Sequence, residues 1–241
     1  MVCLSFYEEL SKYYDSIFPP EEAQVNFVAG SVKFGGKILD VACGNGGYSA
    51  ELHKKGFKVQ ACDIDKGMVE TAEKRLMNMD IQVKIADMTE LSKVYDEKFD
   101  GIFCIGNSIV HLASKDEVKK AITEMKDILA DDGSLILQIM NFDRVKKYKI
   151  KELPEIKDKD KKISFKRFYN ESNDGKIAFN TVLQVNGQDP VANSVLLLPL
   201  IKDELYDILK SVGFEDFNIY GDFNKSAFTD SSYVLVAECR N

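Results

Sequence analysis

The sequence predicts an α/β fold: a mostly parallel sheet, doubly wound with helices on both faces. Short, apolar, β-rich segments alternate with amphipathic segments of helical periodicity over about the first 140 residues. The strand-like segments are apolar along nearly their whole length, as expected of strands that are buried on both faces. Alternation at this spacing is typical of βαβ units, in which each helix connects two parallel strands.

Each predicted element follows from a local pattern. Apolar segments predict strands at 37–43, 57–63, 81–87, 99–106 and 134–140. Helical periodicity predicts helices at 48–56, 65–79 and 115–130. Gly56 is expected to end the first helix, and Asp131-Asp132-Gly133 is expected to form a turn before the fifth strand.

The second half of the chain changes in character. Residues 145–167 are rich in lysine, which favours an exposed loop, with a basic lip for an anionic substrate as the alternative. Alternating segments at 162–170 and 176–185, separated by a sequence that contains Asn173-Asp174-Gly175, predict an antiparallel hairpin. Residues 194–200 are expected to add a third strand.

We interpret 145–200 as a charged loop and a small antiparallel β insertion, which acts as a lid within a single domain of residues 1–241. Its apolar residues are expected to close over the site or to extend the core; they are Phe165, Phe168, Phe179, Val182 and Leu183. A helix at 201–214 and strands at 214–221 and 231–239 predict a C-terminal antiparallel hairpin.

Composition disfavours several functional classes. The chain has 32 Lys and Arg against 39 Asp and Glu, a net charge of −7, which argues against nucleic-acid or membrane partners. No apolar segment approaches the roughly 20 residues of a spanning helix, and the N-terminus does not resemble a signal peptide. Five cysteines without CxxC spacing favour a cytoplasmic location. Two distant histidines argue against a zinc site or a Ser–His–Asp hydrolase.

The central motif is the segment 40–47, DVACGNGG, at the first strand-to-helix junction. Glycines at such a junction allow positive φ angles and a close approach of the backbone to a ligand, and the helix start offers free N–H groups. The match to the dinucleotide pattern GxGxxG is poor, because Ser49 stands at the third glycine position. A tight turn without a ligand is the alternative.

Carboxylates end the next two predicted strands. Asp63 lies 19 residues beyond Gly44, where an acid can accept hydrogen bonds from both ribose hydroxyls, and Asp87 is placed to accept from an adenine amine. Either residue alone is equally compatible with a helix cap or a turn, although Asp65 is the better cap for the following helix. Together with the glycine-rich segment they predict an adenosine site.

These segments resemble the class I S-adenosylmethionine-dependent methyltransferases. The matching segments, spanning about residues 36–140, are ILDVACGNGG, ACDIDKGMVETA, IADM and FDGIFCIGNSIVHL. Within this class, CIGNSIVHL, NFD at 141–143 and YGDF at 220–223 resemble the glycine and glycine/sarcosine N-methyltransferases. The resemblance implies a Rossmann-like sheet with a reversed C-terminal hairpin, S-adenosylmethionine as cofactor, and no metal.

The resemblance also implies roles for individual residues. Those expected to bind the cofactor are Tyr14, Asp40, Ala42, Gly44, Asn45, Gly46, Asp63, Ile64, Met68, Asp87, Met88 and Ile105. Those expected at the transferred methyl group are Tyr14, Gly106, Asn107 and His111, and those expected to bind the acceptor are Asn107, Asn141 and Arg144. Met140 stands where the glycine enzymes have an arginine for the substrate carboxylate, which argues against glycine itself.

The predicted function is methyl transfer from S-adenosylmethionine to a small-molecule acceptor, favouring an amine, by in-line displacement that relies on positioning rather than a strong general base. The alternative acceptors are a sugar amine, a hydroxyl group and a carbon of a quinone precursor, and a non-catalytic sensor of S-adenosylmethionine or a nucleotide is the alternative outside enzymes. The missing third glycine disfavours a nicotinamide oxidoreductase. The protein is expected to be a monomer or a homo-oligomer.

Overall fold

The computed structural model describes residues 10, 12–160, 162–172 and 174–241. The described residues form a seven-stranded sheet and a separate four-stranded sheet. This arrangement confirms the predicted Rossmann-like α/β class with an added antiparallel β segment. Cys3, one of the five cysteines, and Asn173 of the predicted turn lie outside the described residues.

The large sheet has the order β10-β11-β5-β4-β1-β2-β3. Its strands are β1 Lys37–Val41, β2 Lys58–Asp63, β3 Gln82–Ile85, β4 Phe99–Cys104, β5 Leu129–Met140, β10 Asp216–Tyr220 and β11 Val234–Arg240. Strand β11 runs antiparallel to both of its neighbours, which confirms the predicted reversed hairpin. The strand order changes direction between β1 and β4, and in open α/β sheets ligands bind outside the carboxyl ends of the strands at such a point.

Helices cover both faces of this sheet. They are α1 Tyr14–Ile17, α2 Glu22–Ser31, α3 Gly47–Lys54, α4 Lys66–Leu76, α5 Lys115–Asp127, α6 Phe142–Lys147 and α7 Lys202–Val212. Two 3₁₀ turns lie at Leu91–Lys93 and Ser108–His111.

As predicted, Asp65 caps α4, where its Oδ1 accepts a hydrogen bond from the N–H of Met68 at 2.9 Å. Helix α2 was not predicted, because its apolar residues have only weak helical periodicity.

The fifth strand begins earlier than predicted. Phe99 of β4 pairs with Leu129, and the next pair joins Gly101 to Ser134, so β5 contains an irregular bulge. The predicted Asp131-Asp132-Gly133 turn is this bulge, in which the two aspartates are exposed while Leu129 is fully buried. Burial of Leu129 against the core therefore extends the strand through a sequence that is typical of a turn.

The second sheet is antiparallel and has the order β6-β7-β8-β9. Its strands are β6 Glu152–Asp158, β7 Ile163–Glu171, β8 Ile177–Val185 and β9 Val191–Leu197. The predicted loop at 145–167 is therefore wrong over most of its length. Leu153 pairs with Arg167 of β7, and Ile156 pairs with Phe165, with a register shift between the two pairs. This lysine-rich segment is therefore an edge strand with an apolar face.

The second sheet packs its inner face, defined by the odd-numbered residues of β7 and β8, onto the rest of the molecule. Phe165 and Leu183 pack with Ile17 of α1, whereas Tyr169 joins the core of the large sheet, which Phe179 packs against. Phe168 and Val182 alternate onto the outer face, so the expectation that they close over the site is wrong.

Candidate active site

The glycine-rich segment forms the connection from β1 to α3. Gly44 and Gly46 have φ angles of +55° and +75°, and Gly46 is the left-handed residue that begins α3. A Cβ atom on Gly46 would lie 2.9 Å from Leu76 Cδ1 and 3.3 Å from the Cβ of Ala72, so this position has no space for a side chain. Helix α4 therefore packs directly against the loop.

Asp40 lies beneath this loop near the end of β1. It is 3% exposed, and its Oδ2 accepts a hydrogen bond from the hydroxyl of Ser49 at 2.6 Å. Burial raises the pKa of Asp40 to about 7, and the nearby charge of Asp63 adds to this effect. Cys43 is close by, and burial raises the pKa of its thiol, so the thiol stays protonated at neutral pH.

Asp63 joins the end of β2 to the glycine-rich loop. Its Oδ2 accepts a hydrogen bond from the N–H of Gly44, and its Oδ1 accepts one from the N–H of Asp65, both at 2.9 Å. Burial raises the pKa of Asp63, while these backbone hydrogen bonds oppose the rise. Each carboxylate oxygen has a second acceptor position, so the arrangement fits a ribose diol. Ile64 follows with 67% of its surface exposed, which fits an apolar contact with a ring.

The end of β3 places Asp87 and Met88 next along the sheet, both half-buried. Asp87 Oδ1 accepts hydrogen bonds from the N–H and the hydroxyl of Thr89, at 2.8 and 2.9 Å. These two hydrogen bonds are typical of an aspartate in a turn, which is the alternative role of Asp87. They are equally compatible with the predicted contact between Asp87 and the adenine amine.

The segment after β4 is held by two side chains. The N–H of Gly106 donates to Gln138 Oε1 at 2.7 Å, and Asn107, with φ +71°, accepts from the N–H of Met140 at 2.8 Å. Asn107 therefore connects the β4 and β5 ends. His111 ends the 3₁₀ turn with part of its surface exposed, and desolvation by the surrounding protein lowers its pKa.

Asn141 and Arg144 lie in the turn that begins α6. Asn141 is 1% exposed and caps the helix, accepting from the N–H of Arg144 and donating to the carbonyls of Ser232 and Thr229. The guanidinium of Arg144 lies 4.1 Å from the ring centroid of Tyr233. Both residues thus have structural contacts, and neither lines the cavity described next.

A cavity of about 310 Å³ opens at the carboxyl ends of β1 and β4. This volume lies at the lower end of the range of small-molecule sites. Of the residues expected in the site, those that line it are Tyr14, Asp40, Ala42, Asn45, Ile105 and Gly106. The other expected residues lie outside its lining; they are Gly44, Gly46, Asp63, Ile64, Met68, Asp87, Met88, Asn107, His111, Asn141 and Arg144.

Other lining residues were not identified from the sequence. They are Ile17, Phe18, Pro19, Pro20, Glu21, Gln24, Cys43, Gly47, Tyr48, Ser108, Ile156 and Arg167. The sequence does contain a signal for Arg167, namely strand alternation. Arg167 alternates with Phe165 and Tyr169, so it falls on the apolar, inward face of a strand. The contribution of residues 17–24 depends on the N-terminal segment folding back over the sheet.

Asp15 fixes that N-terminal segment to the glycine-rich loop. The Nδ2 of Asn45 donates to Asp15 Oδ1 at 2.9 Å, and Arg75 of α4 forms an ion pair with the other oxygen of Asp15. On its other side, the ring of Phe18 makes an edge contact with Phe165 of the second sheet, with centroids 5.6 Å apart. Residues 14–18 therefore contact both walls of the cavity.

The described residues lack two features of other classes of protein. Among these residues, no three His, Cys, Asp or Glu side chains are grouped so as to hold a metal ion. No helix in the described part of the chain is long and apolar enough to cross a membrane.

The fold is Rossmann-like, and its cavity lies at the carboxyl ends of β1 and β4. Residues 38–133 match a family described as "Methyltransferase domain". The chain is similar to the glycine/sarcosine N-methyltransferases of Aphanothece halophytica (29% identity, covering 84% of this chain and 76% of the relative) and Halorhodospira halochloris (27%, covering 84% and 75%).

Among solved structures, the CcbJ methyltransferase of Streptomyces caelestis superposes with a TM-score of 0.84 at 16% identity, covering 97% of both chains. An S-adenosylmethionine-dependent methyltransferase of Clostridium acetobutylicum superposes with a TM-score of 0.79 at 17% identity, covering 98% of both chains. At these identities the likeness concerns the fold. The domain match and the sequence relatives confirm the prediction of an S-adenosylmethionine-dependent methyltransferase.

Proposed function

We propose that this enzyme transfers a methyl group to the nitrogen of a small-molecule amine. The observation that carries the proposal is the similarity of 84% of the chain to the two glycine/sarcosine N-methyltransferases named above. An amine reacts through its lone pair once its ammonium form has lost a proton, and it needs no base in the transfer step itself. The two relatives named above, which are N-methyltransferases, support the same chemistry.

In this proposal, the cofactor is held at the ends of β1, β2 and β3. Asp63 binds the ribose, Ile64 and Met68 pack on the adenosine, Asp87 and Met88 flank the adenine, and the glycine-rich loop with Gly44, Asn45 and Gly46 surrounds the methionine part. Asp40, whose pKa is about 7, is about half ionised at pH 7, and its charged form favours a positively charged ligand in its vicinity.

When bound, S-adenosylmethionine supplies a methyl group on a positively charged sulfur, and the carbon–sulfur bond breaks, leaving its electron pair on sulfur, as the nitrogen–carbon bond forms. The backbone carbonyls of Ile105 and Gly106 accept hydrogen bonds from the amine and orient its lone pair. The aromatic rings of Tyr14 and Phe18 exclude water from the cavity. Positioning of this kind contributes up to about 7–11 kcal/mol in favourable cases. The product nitrogen then releases its proton to solvent.

A panel of acceptors tests the proposal. The purified protein is incubated with S-adenosylmethionine and, separately, with glycine, sarcosine, ethanolamine, an amino sugar, a catechol and a quinone precursor, and the methylated products are identified by mass spectrometry. We expect products methylated on nitrogen. Methylation confined to oxygen or carbon would overturn the proposal. Tight binding of S-adenosylhomocysteine without any product would favour the sensor.

A further inference from the structure

The segment that follows β4 turns at two consecutive residues with positive φ. Gly106 and Asn107 have φ angles of +85° and +71°. Left-handed backbone at a residue other than glycine is costly, and it persists only where the surrounding structure holds it. Ile105, Gly106 and Ser108 line the cavity, so this turn forms part of the cavity wall.

Strand β5 holds the turn through a buried side chain. Cys104 pairs with Leu137, so Gln138 lies beside the point where β4 ends. Gln138 is 5% exposed, and its Oε1 accepts a hydrogen bond from the N–H of Gly106 at 2.7 Å. Because a backbone N–H only donates, it is the carboxamide oxygen that faces Gly106. Gln138 itself does not line the cavity, so it contacts the wall from behind.

This hydrogen bond fixes the direction of the Ile105 carbonyl. The peptide that joins Ile105 to Gly106 is planar and trans, so its N–H and its carbonyl point in opposite directions. Since the N–H is directed at Gln138, the carbonyl is directed away from it. The hydroxyl of Ser108, a residue that lines the cavity, donates to this carbonyl at 3.3 Å. The carbonyl of Ile105 therefore lies on the cavity side of the turn.

We propose that Gln138 is a positioning residue for methyl transfer, which holds the Ile105 carbonyl in the direction that orients the acceptor nitrogen. This inference rests on the proposed function, in which that carbonyl accepts a hydrogen bond from the amine. Gln138 acts through the peptide that separates it from the cavity. Loss of its oxygen leaves the N–H of Gly106 without a partner and frees this peptide to rotate. A misplacement of about 1 Å is enough to lower a rate by about 100-fold.

Gln138→Met tests the assignment, because methionine is similar in size and lacks the acceptor oxygen. With the panel acceptor that gives the highest kcat/KM, we expect kcat to fall by about 10- to 100-fold, while the KM of the acceptor changes by a smaller factor. The affinity for S-adenosylhomocysteine, measured by calorimetry, is expected to stay as in wild type. Gln138→Glu retains an acceptor oxygen, and burial favours its neutral acid, so this variant is expected to keep most of kcat.

Ser134→Ala is the matched control for the loss of a buried hydrogen bond. Ser134 is fully buried on the same face of β5, four residues before Gln138, and its hydroxyl donates to the carbonyl of Ser31 at 2.6 Å. Both Ser134→Ala and Gln138→Met are expected to lower the melting temperature by about 2–4 °C, but only Gln138→Met is expected to lower kcat. Hydrogen exchange of the Gly106 amide, followed by NMR, is expected to be faster in Gln138→Met and unchanged in Ser134→Ala.

Unchanged kcat in Gln138→Met would overturn the inference. An equal loss of kcat in Ser134→Ala would also overturn it, because activity would then follow stability. A loss of affinity for S-adenosylhomocysteine that matched the loss of kcat would assign Gln138 to the cofactor instead. Products methylated on nitrogen, together with a fully active Gln138→Met, would refute the role of Gln138 alone. An acceptor panel without any product methylated on nitrogen would refute the proposed function and, with it, this inference.

Discussion

The carboxylate of Asp63 accepts a hydrogen bond from the backbone N–H of Gly44 at 2.9 Å. The contact connects the end of β2 to the glycine-rich loop that follows β1, two segments that are 19 residues apart. One buried carboxylate thus sets the position of the loop and leaves acceptor capacity for a ligand. This arrangement explains why the two motifs occur together in the sequence.

Replacement of Asp63 by alanine is expected to weaken binding of S-adenosylhomocysteine by about tenfold or more, since charge-assisted hydrogen bonds are lost. Isothermal titration calorimetry measures this. Asp65→Ala is the control, because it removes the cap of α4 and is expected to cost about 1 kcal/mol of stability while leaving affinity nearly unchanged. Equal losses of affinity in the two variants would argue against a direct contact of Asp63 with the ligand.

The stability of the protein is expected to fall as the pH rises from about 4 to 7. Asp40 has its pKa raised from 3.8 to about 7, so the folded state holds this proton more strongly than the unfolded chain does. Its contribution is therefore complete below pH 3.8 and lost as the pH approaches 7, by an amount of up to about 4 kcal/mol. Urea unfolding at pH 5, 6, 7 and 8 measures the change.

In Asp40→Asn the amide oxygen can still accept from Ser49, and we expect this part of the pH dependence to disappear. The variant should thus gain stability relative to wild type as the pH rises. Asp189→Asn, in an exposed turn, is the control and should follow wild type. Parallel curves for Asp40→Asn and wild type would show that Asp40 is ionised in the folded protein throughout this range.

Two glycines with positive φ are expected to respond differently to alanine. Gly46→Ala places a methyl group against Leu76 and forces a left-handed alanine, so we expect a loss of about 2–4 kcal/mol in unfolding free energy. Gly106 has φ +85° and no atom within 4 Å of a Cβ position, so Gly106→Ala is expected to cost about 1–2 kcal/mol. Its methyl group would enter the cavity and raise the KM of the acceptor.

Unfolding curves and acceptor kinetics on both variants distinguish these effects. A Gly106→Ala enzyme with wild-type KM would show that the acceptor does not approach this residue.

The ion pair between Asp15 and Arg75 is expected to support cofactor binding. Both Asp15→Asn and Arg75→Gln should weaken binding of S-adenosylhomocysteine, because each releases the N-terminal segment from the loop. The double variant should lose less than the sum, with a coupling of about 0.5–1 kcal/mol. Lys93→Gln breaks an exposed ion pair elsewhere and should have no effect. Strict additivity would mean that the pair is not formed when the ligand is bound.

His111 is expected to be dispensable for catalysis, because it does not line the cavity. His111→Ala should keep kcat within about threefold of wild type, whereas removal of a general base lowers the rate by about 10²–10⁴-fold. Stopped assays with the best acceptor of the panel measure this. A large fall in kcat with unchanged affinity for S-adenosylhomocysteine would assign His111 as the base.

Sequence patterns predicted the large sheet because each strand is a short apolar segment bounded by glycine or aspartate. They did not predict β6, since its inward side chains, Leu153 and Ile156, are separated by a bulge that breaks the alternation. In the site, local motifs located Asp40 and Asp63 at strand ends. The proximity of Arg167 depends on how the second sheet packs onto the large one, and no local pattern contains that information.

Residues 14–18 touch the glycine-rich loop through Asp15 and the second sheet through Phe18. One segment therefore contacts both sides of the cavity, and we expect it to move when the cavity exchanges its contents. Methylated product and spent cofactor are expected to leave after a single opening event, and the rate of that opening sets an upper limit on steady-state turnover.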